Sequence, residues 1–459
     1  MSGSPIGFLL DVFAEDPDDE ALVWRDQPTT YGWLSEQVGH WRRRLEEESV
    51  PTGAVVVVRG DFSPWAVALF LALADRGCTI IPLTESVRSQ WAEFEEIAQC
   101  EVVIELEGSD GRVTSTARKA DHPHFLRLKE QGHPGLVLFS SGSTGKSKAA
   151  VHDLLGILEK FHVRRHKLRT IAFLLFDHIG GVNTMLYTLS NGGTLVTVEN
   201  RDPDHVLAAI AEHRVALLPT SPTFINLILL SEAYRRHDLS SLRTVTYGTE
   251  PMPQSTLERF HRLFPQVKLQ QTYGLSEIGI LRSKSKSSDS LWVKLGGEGF
   301  ETRVVDDILQ VKARSAMLGY LNAPDPFTED GWFVTGDEVE VDGEYFRILG
   351  RKSEIINVGG EKVYPAEVES CLLEMPGVED VAVYGAPNPI TGKVVAARIR
   401  LREPEDLRAF RKRLRSYCQK RLQNFKVPVK VELTDDSFHS ERVKKMRPRY
   451  AAGGALAGE

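Results

Sequence analysis

The sequence predicts an α/β protein in which parallel sheets are covered by helices. Two observations support this: short Val/Ile/Leu runs alternate with amphipathic stretches, and 459 residues with 42% hydrophobic and 26% charged residues suffice for more than one core. The run 54–58 precedes a predicted helix over 65–75, and the run 194–198 precedes another over 204–213. We therefore expect two or three lobes.

A loop rich in hydroxyls and glycines follows the apolar run 135–139, which predicts a buried strand. The loop residues are Ser140, Ser141, Gly142, Ser143, Thr144, Gly145 and Lys146, and Lys148 lies just beyond. Glycines let backbone N–H groups turn toward an anion, while the hydroxyls and lysines add donors and charge. The pattern predicts binding of a nucleotide or another phosphate ester.

Two other interpretations of this loop are weaker. A Walker A loop requires glycine where this chain has Ser140, and only its second half, 145–147, is met. A flexible serine-glycine linker has a similar composition, but a strand leads into this loop and two lysines end it.

Further segments are assigned from composition. The Ser- and Lys-rich stretch 283–290 is predicted to be an exposed loop, and 451–459 a disordered tail. Between 398 and 449 there are 17 Lys/Arg against 7 Asp/Glu, a balance of +10; because the total is −7, the rest of the chain carries −17.

This basic region has three interpretations. It would attract a polyanion, either a phosphorylated small molecule or an acidic protein. A nucleic-acid site is disfavoured because no aromatic or helix-turn-helix pattern accompanies the charges, so we expect no nucleic-acid partner. A solvated helix face explains the charges equally well, since apolar residues keep helical spacing at Leu407, Phe410, Leu414 and Tyr417.

Composition also predicts the cellular compartment of the protein. Four cysteines are scattered without C-x-x-C spacing, so neither a zinc site nor a disulfide framework is predicted. We find no apolar run of membrane-spanning length, and residues 1–5 have no basic segment followed by a signal-like core. We therefore expect a protein of the reducing cytoplasm without a membrane span.

Five further words follow the loop in a fixed order: YGTEP (247–251), TYGLSE (272–277), GWFVTGD (331–337), GRKSEIINVGG (350–360) and YPAEVE (364–369). Together with TYGWL (30–34) and GYLN (319–322), they resemble the adenylate-forming superfamily of acyl- and aryl-CoA synthetases, stand-alone adenylation domains and luciferases. The loop matches the family word [ST]-S-G-[ST]-T-G-x-P-K-G except at Ser147 and Ala149. The resemblance covers nearly the whole chain.

The resemblance implies a division of the chain. A large N-terminal domain with a β subdomain would span 1–350, a hinge 351–353, and a small mobile α+β C-terminal domain 354–450. The runs 381–384 and 394–397 would be strands of the small domain. Ser353 stands where the family has Asp or Lys, so the hinge would lack that charge.

The resemblance also implies a role for each site residue. The loop from Ser140 to Lys146 would hold the β- and γ-phosphates of ATP, Glu277 would coordinate Mg²⁺, and Ser276 would contact the α-phosphate. Tyr273 would lie against adenine, Asp337 would accept hydrogen bonds from the ribose, and Arg351 would add charge near ribose and phosphate. The remaining nucleotide-binding residues would be Gly248, Thr249, Glu250, Thr272 and Gly274.

A lysine near the C-terminus of this family bridges the substrate carboxylate and the α-phosphate, within a word like G-K-x-x-R. Lys444 to Arg447 supplies K-x-x-R, with Val443 in place of the glycine. Lys444 is therefore the predicted catalytic lysine and Lys445 the alternative.

The acid pocket has two interpretations. Phe176, Asp177, His178 and Gly181 match either H-x-x-G, as in acyl- and aryl-CoA ligases, or F-D, as in amino-acid adenylation domains where Asp177 would pair with an ammonium. A third interpretation is that His178 caps its own loop. The apolar neighbours Leu174, Leu175, Ile179 and Val182 favour an apolar acid.

The sequence thus predicts an enzyme that uses ATP and Mg²⁺ to form an acyl-adenylate and then transfers the acyl group to a pantetheine thiol. Because no carrier-protein word follows the C-terminal region, the thiol would come from free coenzyme A or from a separate carrier, coenzyme A being favoured. Adenylation of an amino or aryl acid for a separate carrier, adenylation of an oxyanion such as nitrite, and a degenerate nucleotide-binding protein are the alternatives.

Overall fold

The computed structural model describes residues 3–108, 110–141, 147–440 and 443–448. The centre of the predicted phosphate loop, 142–146, and the predicted tail, 451–459, lie outside the described residues.

The helices are α1 (Gly7–Glu15), α2 (Tyr31–Glu47), α3 (Pro64–Asp75), α4 (Trp91–Ile97), α5 (Pro123–Gln131), α6 (Leu154–Leu158), α7 (Ile179–Ser190), α8 (Pro203–Glu212), α9 (Pro222–Ser231), α10 (Gln254–Leu263), α11 (Pro365–Leu373) and α12 (Leu407–Cys418). The strands are β1 (Glu20–Trp24), β2 (Gln27–Thr30), β3 (Val55–Arg59), β4 (Thr79–Leu83), β5 (Val102–Glu107), β6 (Asp110–Ser115), β7 (Gly135–Ser141), β8 (Ser147–Asp153), β9 (Arg169–Ala172), β10 (Thr194–Thr197), β11 (Leu217–Thr220), β12 (Thr244–Tyr247), β13 (Lys268–Gln271), β14 (Gly274–Leu275), β15 (Gly279–Ile280), β16 (Arg282–Ser285), β17 (Trp292–Gly296), β18 (Phe300–Val305), β19 (Ile308–Ala313), β20 (Gly319–Tyr320), β21 (Phe333–Asp342), β22 (Tyr345–Arg351), β23 (Ile356–Val358), β24 (Glu361–Val363), β25 (Val378–Asn388), β26 (Gly392–Leu401) and β27 (Lys430–Leu433).

Two seven-stranded sheets contain the predicted parallel strands. The first has the order β13-β12-β11-β9-β10-β1-β2 and is parallel except at β2. The second has the order β20-β8-β7-β4-β3-β5-β6, with β7, β4, β3 and β5 parallel and antiparallel strands at both edges. The α/β prediction is confirmed, and the loops after the parallel strands of each sheet lie along a common edge.

Helix α3 shows why the sequence folds this way. Ser63 accepts a hydrogen bond from the N–H of Ala66, and Pro64 occupies the first turn, where its missing N–H costs nothing. All positions from Ala66 to Ala74 are buried, because the helix is apolar on every face. It packs in one core cluster with Trp41 of α2.

An antiparallel sheet and a smaller sheet complete the fold. The former has the order β16-β17-β22-β21-β19-β18; the latter has the order β24-β23-β26-β25, with β27 parallel to β26. Helices α11 and α12 cover the smaller sheet, and Phe410, Leu414 and Cys418 of α12 are buried there. Of the four predicted apolar positions, Phe410 and Leu414 are buried, Tyr417 is half-buried and Leu407 is exposed. The basic residues of α12 are directed away from this core, as a solvated face requires.

The prediction of an exposed loop over 283–290 was partly wrong. Residues up to Ser285 form β16, paired with β17. The reason is that serine side chains complete a backbone ladder: the Ser285 hydroxyl accepts from the N–H of Gln271 at 2.8 Å, and the Ser283 hydroxyl donates to the carbonyl of Gln271 at 2.8 Å. Composition alone does not reveal such a pairing.

The smaller sheet and its helices contact the rest of the chain through polar groups. Ser255 of α10 donates to Ser370 of α11 twice, from its N–H to the hydroxyl at 3.0 Å and from its hydroxyl to the carbonyl at 3.1 Å. The Glu338 carboxylate accepts from Lys362 at 2.6 Å. Lys352 and Ser353, in the predicted hinge, lie in an exposed turn after β22. The domain boundaries stay a prediction. Within the described ranges, none of the helices has the length and apolarity needed to cross a membrane.

Lys160 follows α6 and contacts both α7 and β15. Its Nζ donates to Asn183 Oδ1 of α7 at 2.5 Å and to the carbonyl of Ile280 in β15 at 2.9 Å. No carboxylate lies within ion-pair distance of it in the part of the chain that the structure describes, and burial together with Arg165 and Arg282 lowers the pKa of Lys160 to about 7.

This predicts a pH-dependent stability. An unfolded lysine titrates near pH ~10.4, so between pH 7 and that value the unfolded chain binds one more proton and the wild type gains stability as pH rises. Lys160→Met lacks this gain. The free energy of unfolding of the variant, relative to wild type, should therefore fall by about 1–2 kcal/mol between pH 7 and pH 9 in urea titrations.

The control is Lys167→Met, because Lys167 is exposed and bound to Asp19 with a raised pKa. A difference between Lys160→Met and wild type that stays constant over this pH range would contradict the lowered pKa.

Candidate active site

The two strands that flank the predicted phosphate loop form a hairpin. Ser140 pairs with Lys148 and Ser141 with Ser147. The Asn322 side chain holds the start of β8, because its Oδ1 accepts from the N–H of Ala149 at 3.0 Å and its Nδ2 donates to the carbonyl of Ser147 at 2.9 Å. Asn322 lies in the GYLN word but had no predicted role. The pairing therefore fixes residues 140 and 141 relative to residues 147–149.

The predicted nucleotide residues after β12 and β13 contact one another. A side chain at Gly248 would place its Cβ 2.8 Å from the carbonyl oxygen of Thr272, so only glycine fits. Thr272 in turn donates its N–H to the carbonyl of Tyr247 at 2.7 Å. Thr249 is exposed and has φ +74°, a conformation that costs a threonine free energy and is concentrated at functional sites.

Tyr273 and Asp337 form a buried pair. The Tyr273 hydroxyl donates to Asp337 Oδ2 at 2.6 Å, and Asp337 is 6% exposed. Burial raises the pKa of Asp337, which the nearby Arg351 guanidinium and the Tyr273 hydroxyl counteract. Arg351 Nε lies 3.5 Å from Asp337 Oδ1. Each carboxylate oxygen has two lone pairs, so Asp337 retains capacity for further donors such as ribose hydroxyls.

The segment from Gly274 to Ile280 presents Ser276 and Glu277 between β14 and β15. Glu277 Oε1 accepts from the Tyr320 hydroxyl at 2.6 Å, and the carboxylate raises the pKa of Tyr320 in addition to burial. Beneath the segment, His152 is fully buried and its Nε2 lies 2.6 Å from the carbonyl oxygen of Ser276. Sequence reasoning missed both Tyr320 and His152. The GYLN word contained a signal for the former, whereas the burial of His152 follows from tertiary packing.

The Glu277 carboxylate meets the chemical requirements of a Mg²⁺ ligand. Magnesium takes oxygen ligands, commonly one or two carboxylates plus substrate phosphates and water. Glu277 is half-buried and one of its oxygens is oriented by Tyr320. A carboxylate held in this way fits such a site.

The segment that carries the predicted lysine motif is bound to the loop after β12, because the N–H of Lys445 donates to Glu250 Oε2 at 2.9 Å. Val443 has φ +50°, the left-handed region that favours glycine, which agrees with the glycine expected at that position. Lys444 is half-buried and makes polar contact with its surroundings. The alternative, Lys445, directs Nζ to Asp380 Oδ1 at 2.6 Å and to the carbonyl of Val381 at 2.9 Å. Because that ammonium is already paired with a buried carboxylate, Lys444 stays the predicted catalytic lysine.

The four residues predicted for the acid pocket have different environments. Phe176 is in the core, with ring centroids 4.8 Å from Phe62. His178 caps α7: its Nδ1 accepts from the N–H of Gly180 at 3.1 Å, which is the third interpretation given above. At Gly181 a Cβ would lie 1.9 Å from the carbonyl oxygen of Leu175, so this glycine is required for packing.

Asp177 is 4% exposed and accepts from the Thr84 hydroxyl at 3.0 Å. Asp61 and Arg201 line a cavity of about 340 Å³, and the charge of Asp177 acts on Arg201. Burial raises the pKa of Asp61 and lowers that of Arg201, whose Nε donates to the carbonyl of Phe173 at 2.7 Å. The lining includes Trp24, Asp61, Phe62, Glu85, Phe176 and Arg201.

The Tyr273–Asp337 pair predicts a stability effect. Tyr273→Phe removes the donor from a buried carboxylate and should lower the free energy of unfolding by about 1–3 kcal/mol in urea titrations. Tyr345→Phe is the matched control, because within the described ranges its hydroxyl has no hydrogen bond. Equal effects of the two variants would show that the Tyr273 hydroxyl contributes nothing.

Comparison with known families gives two matches. The sequence profile described as "AMP-binding enzyme" matches residues 10–308, and that described as "AMP-binding enzyme C-terminal domain" matches residues 367–445.

Among curated proteins, the chain is similar to a feruloyl-CoA synthase of Amycolatopsis sp, with 33% identity over 328 residues, 65% of this chain and 66% of that protein. It is also similar to a 2-succinylbenzoate–CoA ligase of Bacillus pumilus, with 26% identity over 481 residues and 96% of each chain. The match to the feruloyl-CoA synthase thus spans just under two thirds of its length.

Two solved structures share the fold. The anthranilate CoA ligase AuaEII, solved with anthranoyl-AMP, superposes with a TM-score of 0.78 at 20% identity, covering 95% of each chain. The amide bond synthetase McbA from Marinactinospora thermotolerans superposes with a TM-score of 0.75 at 23% identity, covering 95% of this chain and 97% of that one.

Proposed function

Because the chain belongs to the AMP-binding enzyme family, we propose that it activates a carboxylic acid with ATP. The products of this step would be an acyl-adenylate and pyrophosphate. A second step would transfer the acyl group to a pantetheine thiol. Relatives named as CoA ligases support this assignment.

The observation that carries the proposal is the proximity of three predicted groups. These are the buried carboxylate of Asp337 with its Tyr273 partner, the Glu277 carboxylate oriented by Tyr320, and the Arg351 guanidinium, whose charge interacts with both carboxylates. Arg447 of the lysine motif lines one small cavity together with Arg351. A structural role for any one of these groups would not require the others.

The first step is a phosphoryl-centred displacement. A carboxylate oxygen of the acid bonds to the α-phosphorus, and the bond to the pyrophosphate oxygen breaks. Negative charge gathers on the phosphoryl oxygens, so positioned cations and donors contribute more than a general base. The Lys444 ammonium would neutralise the acid carboxylate and the α-phosphate together, and Ser276 would donate to the latter.

Nucleotide binding would use the groups around Asp337. Its carboxylate would accept from the ribose hydroxyls, Tyr273 would lie against adenine, and Arg351 would add positive charge. Glu277 would hold Mg²⁺, which screens the phosphate charges when bound. The hydroxyls and N–H groups of 140–146 would hold the β- and γ-phosphates.

Coenzyme A is the favoured acceptor of the acyl group. In the second step the thiol sulfur bonds to the acyl carbon, AMP leaves, and the thiol proton is released. The exposed basic face of α12 supports a polyanionic acceptor. An acidic carrier protein bearing phosphopantetheine has the same chemistry and is the alternative.

The acid is proposed to be an aryl or apolar carboxylic acid. The apolar residues around α7 support this, as do the aromatic acids in the names of the relatives. An amino acid is the second candidate, favoured by the buried Asp177 carboxylate. Adenylation of another oxyanion such as nitrite requires the same nucleotide site.

The test is pyrophosphate exchange with benzoate-like acids, medium-chain fatty acids, amino acids and nitrite, each with Mg²⁺. We expect exchange with aryl or apolar acids, and then thioester formation with coenzyme A. Exchange with amino acids alone would overturn the acid assignment. ATP binding without exchange for any member of the panel would indicate a degenerate binding protein.

The catalytic lysine is tested by separating the half-reactions. Lys444→Ala should slow acyl-adenylate formation on the order of 100-fold or more, because a cation at the developing charge is lost. Thioester formation from supplied benzoyl-AMP should be largely unchanged. Lys445→Ala is the matched control; a loss of adenylation in that variant and not in Lys444→Ala would move the role to Lys445.

The pocket is tested by two alanine variants. If Asp177 binds an ammonium, Asp177→Ala should reduce exchange with amino acids selectively, by a few kcal/mol of transition-state free energy, since a buried cation loses its partner. If the pocket is apolar, His178→Ala should reduce exchange with aryl acids more than Asp177→Ala does, because the start of α7 loses its cap. Measurements of kcat/KM across the panel distinguish these results.

A further inference from the structure

Two hydrogen bonds flank Lys444 along the chain. On one side, the Ser221 hydroxyl donates to the carbonyl oxygen of Val443 at 2.6 Å. On the other side, the N–H of Lys445 donates to Glu250 Oε2 at 2.9 Å. Because they bind the backbone groups just before and after Lys444, they fix the position and direction of its Cα–Cβ bond.

Ser221 and Glu250 are themselves fixed on the first turn of α9. The Ser221 hydroxyl oxygen accepts from the N–H of Phe224 at 3.1 Å, and Glu250 Oε1 accepts from the N–H of Thr223 at 2.8 Å. A carboxylate is favourable at a helix N-terminus, where N–H groups lack helical partners. Both oxygens of Glu250 therefore serve backbone amides, one within the helix and one in the C-terminal segment.

The Val443 side chain adds an apolar contact beside α9. It is 5% exposed and packs in the core cluster of the first sheet, which includes Phe224 of α9. Its φ of +50° is unfavourable for a β-branched residue. The surrounding contacts must outweigh that cost.

The side chains of the same segment bind the smaller sheet instead. Lys445 Nζ pairs with Asp380 at 2.6 Å, and Arg447 makes two bonds to the fully buried Glu369 at 2.9 and 2.8 Å. Burial would raise the pKa of Glu369, but Arg447 holds it below its usual value. The segment is thus bound to α9 through its backbone and to the smaller sheet through its side chains.

We propose that Ser221 and Glu250 form a dock that positions Lys444 for acyl-adenylate formation and plays no part in acyl transfer. The inference rests on the proposed function. It gives Glu250 a positioning role in place of the nucleotide contact predicted from the sequence. Neither residue of the dock would touch the reacting atoms, so both act through Lys444.

The variants are Glu250→Gln, Ser221→Ala and the double variant. Loss of hydrogen bonds at a charged acceptor should reduce kcat for acid-dependent pyrophosphate formation by about 10- to 100-fold, with KM for ATP changed by less than about threefold. Acyl transfer from supplied benzoyl-AMP to coenzyme A should be unchanged or faster.

The matched control is Asp202→Asn, because Asp202 caps α8 by accepting from the N–H groups of Asp204 and His205. It tests the loss of a capping carboxylate without any change at the C-terminal segment. We expect at most a small loss of stability, because asparagine keeps an oxygen that can accept both bonds, and no difference between the half-reactions.

A distance measurement in the ligand-free protein tests the dock independently of the reaction. Fluorophores at Val163→Cys and Ser416→Cys, both exposed, report the distance between the two parts of the chain, since the four native cysteines are buried. The double variant should shift or broaden this distance distribution in the ligand-free protein, and Asp202→Asn should not.

An unchanged distribution together with equal slowing of both half-reactions would overturn the proposal and leave Glu250 as a cap of α9. If the wild type forms no pyrophosphate with any acid, the proposed function fails. The distance measurement then still decides whether the dock exists.

Discussion

Burial of carboxylates between separately packed sheets is the constraint on which this structure depends. A charged group removed from water costs several kcal/mol unless another group pairs with it. Here each buried carboxylate of the site finds its partner on a distant part of the chain: Asp337 on Tyr273, and Glu369 on Arg447. Because such a pair forms only when both elements are in place, each pair ties two layers together.

The same constraint explains the shape of the candidate site. The parallel strands end along common edges, and the loops that follow them carry Gly248, Thr272 and Ser276. Glycine at 248 permits the close approach of two of these loops. Polar groups that would be costly inside a core are thereby collected at one boundary, where a charged substrate can pair with them.

The C-terminal segment is held by two kinds of contact with different consequences. Side-chain ion pairs such as Lys445 with Asp380 are buried, so breaking one leaves an uncompensated charge. The contacts to α9 are hydrogen bonds to backbone groups, together with Val443, and water can replace those hydrogen bonds at smaller cost. Separation of the two parts of the chain is therefore cheaper at α9 than at the smaller sheet.

Local sequence determined the α/β class, the strand that begins at Gly135, the helices α3, α8 and α12, and the order of the motifs, because hydrophobic period and short words are local properties. Tertiary structure alone decided the pairing of Ser283 and Ser285 with Gln271, the burial of His152 under Ser276, and the pairing of Lys445 with Asp380. The physical reason is that these contacts join residues far apart in the chain, and which donor satisfies which buried acceptor is fixed only when the layers pack.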